Sequence, residues 1–361
     1  MGLTAAISLL SLLAPSGIGH AYQLYPITMV VVLVLFALFP LGRALHRGQA
    51  GWREFFLTLG LMVVMVIWPA VKGQKTLGLE YAWMLTLPYV VGQLSFSQRD
   101  IRAIGFSAGM VGLIVVAARL YLGIFGGWNN NAIAMAGFLG AAVYTAVRWE
   151  IWGMKIFSKI YLVAMTLMML QLESRSCVTG CLLLAVFEFD LINPRLFVKK
   201  NWLRRLMLVL PMLIAVGTVL FQRNEIFDTL NTWSMEYFNK PIFNGRNTIW
   251  KYGMEIIVKD PLLGTGQLSS GYWHNCAITI ATAFGLLGFA LWLLYFENIM
   301  VEAHRWPKDP CFGPCIASFA VILIQQSFEL GLVSVEGSML PYLILGMMLG
   351  RMRYLKNKES L

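Results

Sequence analysis

Apolar runs of about 17–25 residues, each long enough to cross a hydrocarbon core, recur along the whole chain. No other feature limits the fold as much. The composition agrees: 58% of the residues are hydrophobic and only 13% charged, against roughly a quarter charged in soluble domains. A water-soluble globule is excluded. The chain reads as an all-α polytopic membrane protein with about twelve transmembrane helices, one integral domain over residues 1–361. The spans are expected at 2–18, 25–42, 54–71, 80–96, 103–123, 131–147, 156–172, 176–193, 205–221, 273–296, 311–330 and 338–351. Pro15 interrupts the first and Pro341 falls in the last. The first stretch lacks a basic start and a clear cleavage site, so it reads as a retained span rather than a signal peptide.

Orientation follows from the cations, because cytoplasmic loops retain Lys and Arg. Alternate connections hold Arg43, Arg47 and Arg53; Arg99 and Arg102; Arg148 and Lys155; Arg195, Lys199, Lys200 and Arg204; Arg305 and Lys308; and Arg353, Lys356 and Lys358. The opposite connections are poorer: Lys72 and Lys75, Arg175, then five cations after residue 221. Both termini are therefore expected in the cytoplasm, with Arg175, Arg246 and His274 facing outward. The net charge of +10 is accounted for by this sorting and needs no nucleic acid. Cys177 and Cys181, like Cys311 and Cys315, stand one helical turn apart, and no disulfide framework is implied.

Connections are short except one. Residues 222–272 form an expected extracytoplasmic loop, enough for a small cap with short amphipathic helices. From Asn247 to Lys259, Ile249, Trp250, Ile256 and Ile257 recur near one helical face, which predicts a helix lying on the bilayer surface or on the bundle. Pro261 ends it, and Gly264 and Gly266 bend the backbone that follows. The loop's Arg223, Lys240, Arg246, Lys251 and Lys259 are balanced by Glu225, Asp228, Glu236, Glu255 and Asp260, so any anion contact must be local.

Three side chains of this outer face carry chemistry. Arg175, in Glu173-Ser174-Arg175-Ser176, stands between two apolar runs. It is either a snorkelling side chain paired with Glu173 or a planar fork of donors for a phosphate. Arg246 opens the predicted loop helix. His274 starts the next span, where an imidazole suits taking a proton from a hydroxyl, or simply bonds to backbone. His20 alone shares its face, which argues against a histidine metal site and leaves no cofactor implied. Asn129, Asn130 and Asn131 open a span on the same side, as helix caps or as contacts to a sugar or phosphate. Arg119, Gln325, Gln326 and Glu329 approach that face and join the candidate substrate contacts, with Asn275 beside the histidine.

Gly245-Arg246, Trp250, Pro261-Leu-Leu-Gly264-Thr-Gly266, His274-Asn275 and Gly285-Leu-Leu-Gly288 together resemble the signature of the O-antigen ligase and polymerase superfamily. Ser174-Arg175-Ser176 and the Asn129–Asn131 run resemble two further motifs, in the family's order. The likeness covers roughly residues 125–290. It implies a metal-independent, inverting glycosyltransferase of the bacterial cytoplasmic membrane. Such enzymes use undecaprenyl-diphosphate-linked sugars as donor and acceptor. The resemblance further implies that Arg175 and Arg246 bind the diphosphate and that His274 orients or deprotonates the attacking hydroxyl. By family it also implies a separate chain-length regulator as partner. Only seven residues separate Gly266 from His274, and Gly285-Leu286-Leu287 is followed by Gly288-Phe289 rather than a threonine pair. Both favour a polymerase over a ligase acting on lipid A–core or protein. A transporter or flippase for the same lipid-linked sugar is the alternative from another class; it leaves a single outer loop with Arg, glycine hinge and His unexplained.

Overall fold

Ser97, Asp100 and Gly123 show how locally the helices of this chain are specified. The Ser97 hydroxyl accepts the Asp100 amide (3.3 Å), while the Asp100 carboxylate accepts the Ser97 amide (2.8 Å), a reciprocal capping box. After a helix of 25 residues, Gly123 ends it with φ 65°. The computed structural model describes residues 49–74, 85, 87–124, 127, 129–147, 152–221, 225–238, 241–267, 273–329, 332 and 340–359. The spans expected at 2–18 and 25–42 lie outside these residues, as do His20 and the beginnings of the spans at 80–96 and 338–351.

Among the described residues every regular element is helical. In chain order they are α1 (Gln49–Met62), a π-helical turn (Val63–Ile67), α2 (Trp68–Val71), α3 (Gln98–Leu122), α4 (Asn130–Thr145), α5 (Trp152–Gln171) and α6 (Arg175–Glu188). Then follow α7 (Arg195–Lys199), α8 (Asn201–Phe221), α9 (Glu225–Phe238), α10 (Arg246–Lys259), α11 (Cys276–Val301), α12 (Phe312–Gln325) and α13 (Leu340–Glu359). Four helical stretches are long and apolar enough to cross a membrane: Gln98–Leu122, Gly153–Gln171, Asn201–Phe221 and Cys276–Arg305. Phe55–Val71 and Phe312–Gln325 are shorter and also apolar. Phe106 and Ile114 on α3, Val163 and Leu167 on α5, and Leu213 and Leu220 on α8 point outward. Exposed leucines along a full-length helix suit contact with lipid, not water. The chain has the helices of a membrane protein.

Small residues set the closest packing. A side-chain carbon on Gly140 of α4 would lie 2.8 Å from the Ala108 carbonyl of α3, and one on Gly109 would meet Tyr144 at 2.7 Å. These two helices touch along a glycine seam, as helices do where no hydrophobic force draws them together. Helix α12 fills the centre, with every residue from Phe312 to Leu323 buried.

Helix α11 is broken. Gly285 stands within it at φ 68°, ψ −177°, a conformation that only glycine adopts readily. The loop Pro261–Gly266 supplies the hydrogen bonds missing there. Leu286 N donates to Pro261 O (2.8 Å) and Leu287 N to Leu262 O (3.2 Å), while Thr265 N and Gly266 N donate to Thr282 O (2.9 Å) and Ala283 O (2.8 Å). The contact admits no side chain: a Cβ on Gly285 would lie 2.2 Å from the Leu262 carbonyl, and one on Gly264 2.5 Å from Gly285 N. This loop is not the free surface bend that Pro261, Gly264 and Gly266 suggest. It is keyed into the bundle, as irregular backbone must be where it is covered by protein.

The helix predicted over 247–259 is α10, and its apolar face lies on the bundle. Trp250 is completely buried, and Gly253 lets the helix approach Ile278 and Trp273.

Candidate functional site

The end of α3 meets the end of α5 through Tyr121 and Gln171 (3.5 Å), and the start of α11 meets the end of α12 through Cys276 N and Gln326 O (3.0 Å). At this end of the bundle, four residues beyond α12, the Glu329 carboxylate gathers three side chains. Its Oε1 accepts from Ser176 Oγ of α6 (3.0 Å) and from Arg246 Nη2 of α10 (3.2 Å). Its Oε2 faces His274 Nδ1 at 3.7 Å. Arg175, one residue before Ser176, turns to the cap and donates through Nη1 to Ser234 Oγ of α9 (3.1 Å) and to Pro241 O (3.1 Å). Partial burial, and then the charge of Arg246, lower the Arg175 pKa below the usual guanidinium value. A guanidinium whose charge is disfavoured by burial and by a neighbouring cation is a place where an anion is welcome.

Local backbone prepares each of these groups. Four non-glycine residues have positive φ among the described residues, and three lie at this site: Glu173 (57°) ahead of Arg175, Asn244 (48°) ahead of Arg246, and His274 itself (48°). Such conformations persist only where the surroundings enforce them, and they concentrate at functional sites. His274 is pinned from both sides. Trp250 Nε1 donates to the carbonyl of Trp273 (2.7 Å), and Asn275 Nδ2 donates to Pro211 O (2.9 Å) and Ser327 O (3.0 Å). With its neighbours tied to α10, α8 and the end of α12, the imidazole has little freedom of position. Its side chain is 39% exposed, whereas those of Glu329 and Arg246 are 15% and 17% exposed. The ring faces out over a sheltered ion pair.

Two of the expected substrate contacts are buried in the bundle. Asn275 is fully buried, and its oxygen caps α11 by accepting from Ala277 N (2.9 Å) and Ile278 N (3.0 Å). Both amide atoms are engaged by backbone, which ties the residue beside His274 to α8 and to the end of α12. Gln325 is buried as well; it reaches Cys177 Sγ (3.7 Å) and accepts from Gln326, whose own oxygen takes Leu332 N (2.7 Å). The two glutamines are satisfied by each other and by buried neighbours.

The remaining candidates form a group of their own on the α3–α4 turn. Asn129 caps α4 by accepting from Asn131 N (2.9 Å), and Asn130 Oδ1 accepts from Arg119 Nε (3.2 Å) and Nη2 (3.0 Å). Arg119 and the three asparagines are exposed or half-exposed on the α3–α4 turn, and Arg119 is held by Asn130 rather than by Glu329. Among the described residues no group of three or more His, Cys, Asp or Glu side chains is placed to hold a metal ion.

Sequence reasoning did not single out Ser176 or Ser234. Ser176 adjoins Arg175 in the same short motif, which was a usable signal; Ser234 lies in α9, where nothing marked it. Comparison with known proteins adds nothing to this geometry: no family model, no curated protein and no solved structure matches the chain.

Proposed function

We propose that the chain is a glycosyltransferase that polymerises undecaprenyl-diphosphate-linked oligosaccharide repeat units on the outer face of a bacterial cytoplasmic membrane. The observation that supports this reading is the meeting of Ser176, Arg246 and His274 at Glu329, with Arg175 adjoining. In this reading the chain spans the membrane twelve times and has both termini in the cytoplasm. Residues 222–272 then form an outer cap over the site.

The step is a single displacement. An acceptor hydroxyl oxygen attacks the anomeric carbon of the donor, forming the new glycosidic bond. The bond from that carbon to the diphosphate oxygen breaks, and its electron pair leaves with undecaprenyl diphosphate. The hydroxyl proton passes to His274, and the anomeric configuration inverts. Arg175 and Arg246 lower the barrier because negative charge grows on the leaving phosphate, and fixed cations aimed there need no reorganisation.

The test uses purified protein in detergent with a lipid-linked repeat unit and no ion gradient. A ladder of lengthening glycans is expected, and His274→Ala should lower its rate by about 10²–10⁴-fold, the range for removal of a general base. Full activity in that variant removes His274 from the mechanism. Lipid movement across vesicles without glycan growth would replace a transferase by a flippase.

A further inference from the structure

Glu329 is the carboxylate that Ser176, Arg246 and His274 share, and its two oxygens face different partners. Oε1 is occupied by Ser176 and Arg246, at 3.0 and 3.2 Å. Oε2 stands against Nδ1 of His274, at 3.7 Å. At this ion-pair distance, longer than a hydrogen bond, the negative charge of the carboxylate favours a proton on the near ring nitrogen over one on the far nitrogen. The proton of a neutral imidazole then sits on Nδ1, and the lone pair is on Nε2. The carboxylate is only 15% exposed, so its field on the ring is weakly screened. The backbone clamp at Trp273 and Asn275 holds the ring where that field acts.

From this arrangement we infer that Glu329 is a positioning residue. It selects the His274 tautomer whose Nε2 can take a proton from the acceptor hydroxyl, and it holds Arg246 through the same carboxylate. The inference rests on the glycosyl-transfer reading for its consequence but not for its geometry. Glu329 does not touch the reacting atoms. Its effect travels through the imidazole, as outer carboxylates act on metal-bound or catalytic histidines elsewhere.

Replacing the carboxylate by an amide makes the idea measurable. In Glu329→Gln the side-chain oxygen can still accept from Ser176 and Arg246, which turns the NH₂ group toward Nδ1. An amide nitrogen donates, so Nδ1 must become the acceptor and the proton moves to Nε2. The base is then capped by its own proton.

The experiment is ¹⁵N NMR of the full chain, labelled at its four histidines, in detergent, with His274→Ala used to assign the signal. In the wild type the neutral His274 ring should carry its proton on Nδ1, and in Glu329→Gln on Nε2. In parallel, with a synthetic polyprenyl-diphosphate-linked repeat unit, Glu329→Gln should lower kcat by about 10–100-fold, with KM for the donor within a few-fold. Glu329→Asp should recover part of the loss. The double variant His274→Ala/Glu329→Gln should be slower than His274→Ala by much less than the single Glu329→Gln loss, since only the Arg246 contact is left for Glu329 to serve. An unchanged tautomer in Glu329→Gln overturns the inference, and so does a double variant whose losses multiply. If the tautomer moves as expected while the wild type builds no glycan, the positioning role stands and the transferase reading is the one that fails.

Discussion

Arg246 spends one of its guanidinium donors on Glu329 at 3.2 Å, and the side chain is 17% exposed, so the rest of the fork is available on the open side. A lysine could keep the ion pair but not the fork. Arg246→Lys should therefore raise KM for the lipid-linked donor about tenfold, and Arg246→Ala should do more. Equal donor affinity in both variants would move the diphosphate elsewhere. Asn275 offers the contrasting case, a fully buried polar residue whose amide is taken up by backbone. Its loss takes the cap from two α11 amides and a partner from Ser327 O in a buried place. At about 1–3 kcal/mol for an unsatisfied buried group, Asn275→Ala should cost roughly 2–5 kcal/mol, read as a lower melting temperature in detergent. Retained melting with lost donor binding would return Asn275 to the substrate contacts. At this scale the sequence showed which residue types were present, and only the structure separated the partly exposed ones from the buried ones. Arg246 and Asn275 are both polar residues flanking apolar runs, and nothing local tells them apart.

Among elements, α11 and the loop before it depart furthest from local expectation. Their two glycine motifs, Pro261-Leu-Leu-Gly264-Thr-Gly266 and Gly285-Leu-Leu-Gly288, are halves of one contact. The amides of Leu286 and Leu287 lose their helical partners at the break and take the carbonyls of Pro261 and Leu262. Gly285→Ala adds positive-φ strain of about 1–3 kcal/mol and forces a methyl to 2.2 Å from a carbonyl oxygen. The combined cost should exceed about 3 kcal/mol by that strain plus overpacking. The variant should melt early and lose activity, whereas Gly217→Ala, where nothing lies within 4 Å of the added carbon, should melt like the wild type. Equal melting of the two would mean that the broken helix tolerates closure. Helix α10 was legible because its apolar positions repeat with the helical period. The break was not, because a hydropathy pattern records burial and not which backbone group supplies each bond.

At the level of the whole molecule, the apolar helices and the grouping of site residues at one end of the bundle make sidedness testable. The five cysteines are all buried, so a membrane-impermeant maleimide meets little background. Lys251 on α10 and Lys200 before α8 are both exposed. Lys251→Cys should label in right-side-out vesicles, and Lys200→Cys only in inverted ones. The reverse pattern would put the site in the cytoplasm and end the proposal of an outer-face transferase.

Hydropathy and helix signals acting over one or two turns determined much of this protein without any structure. Helical stretches close to those observed could be read near 103–123, 156–172, 205–221 and 247–259, since each follows from the solvent preference and capping of its own residues. The residue types able to meet a phosphate or a proton were legible too. Only the tertiary structure decided that Glu329 joins Ser176, Arg246 and His274, that Asn275 and Gln325 are buried supports, and that a loop completes a broken helix. Those outcomes depend on partners brought from distant parts of the chain, whose approach is set by packing and hydrogen-bond satisfaction across the bundle rather than by any local preference.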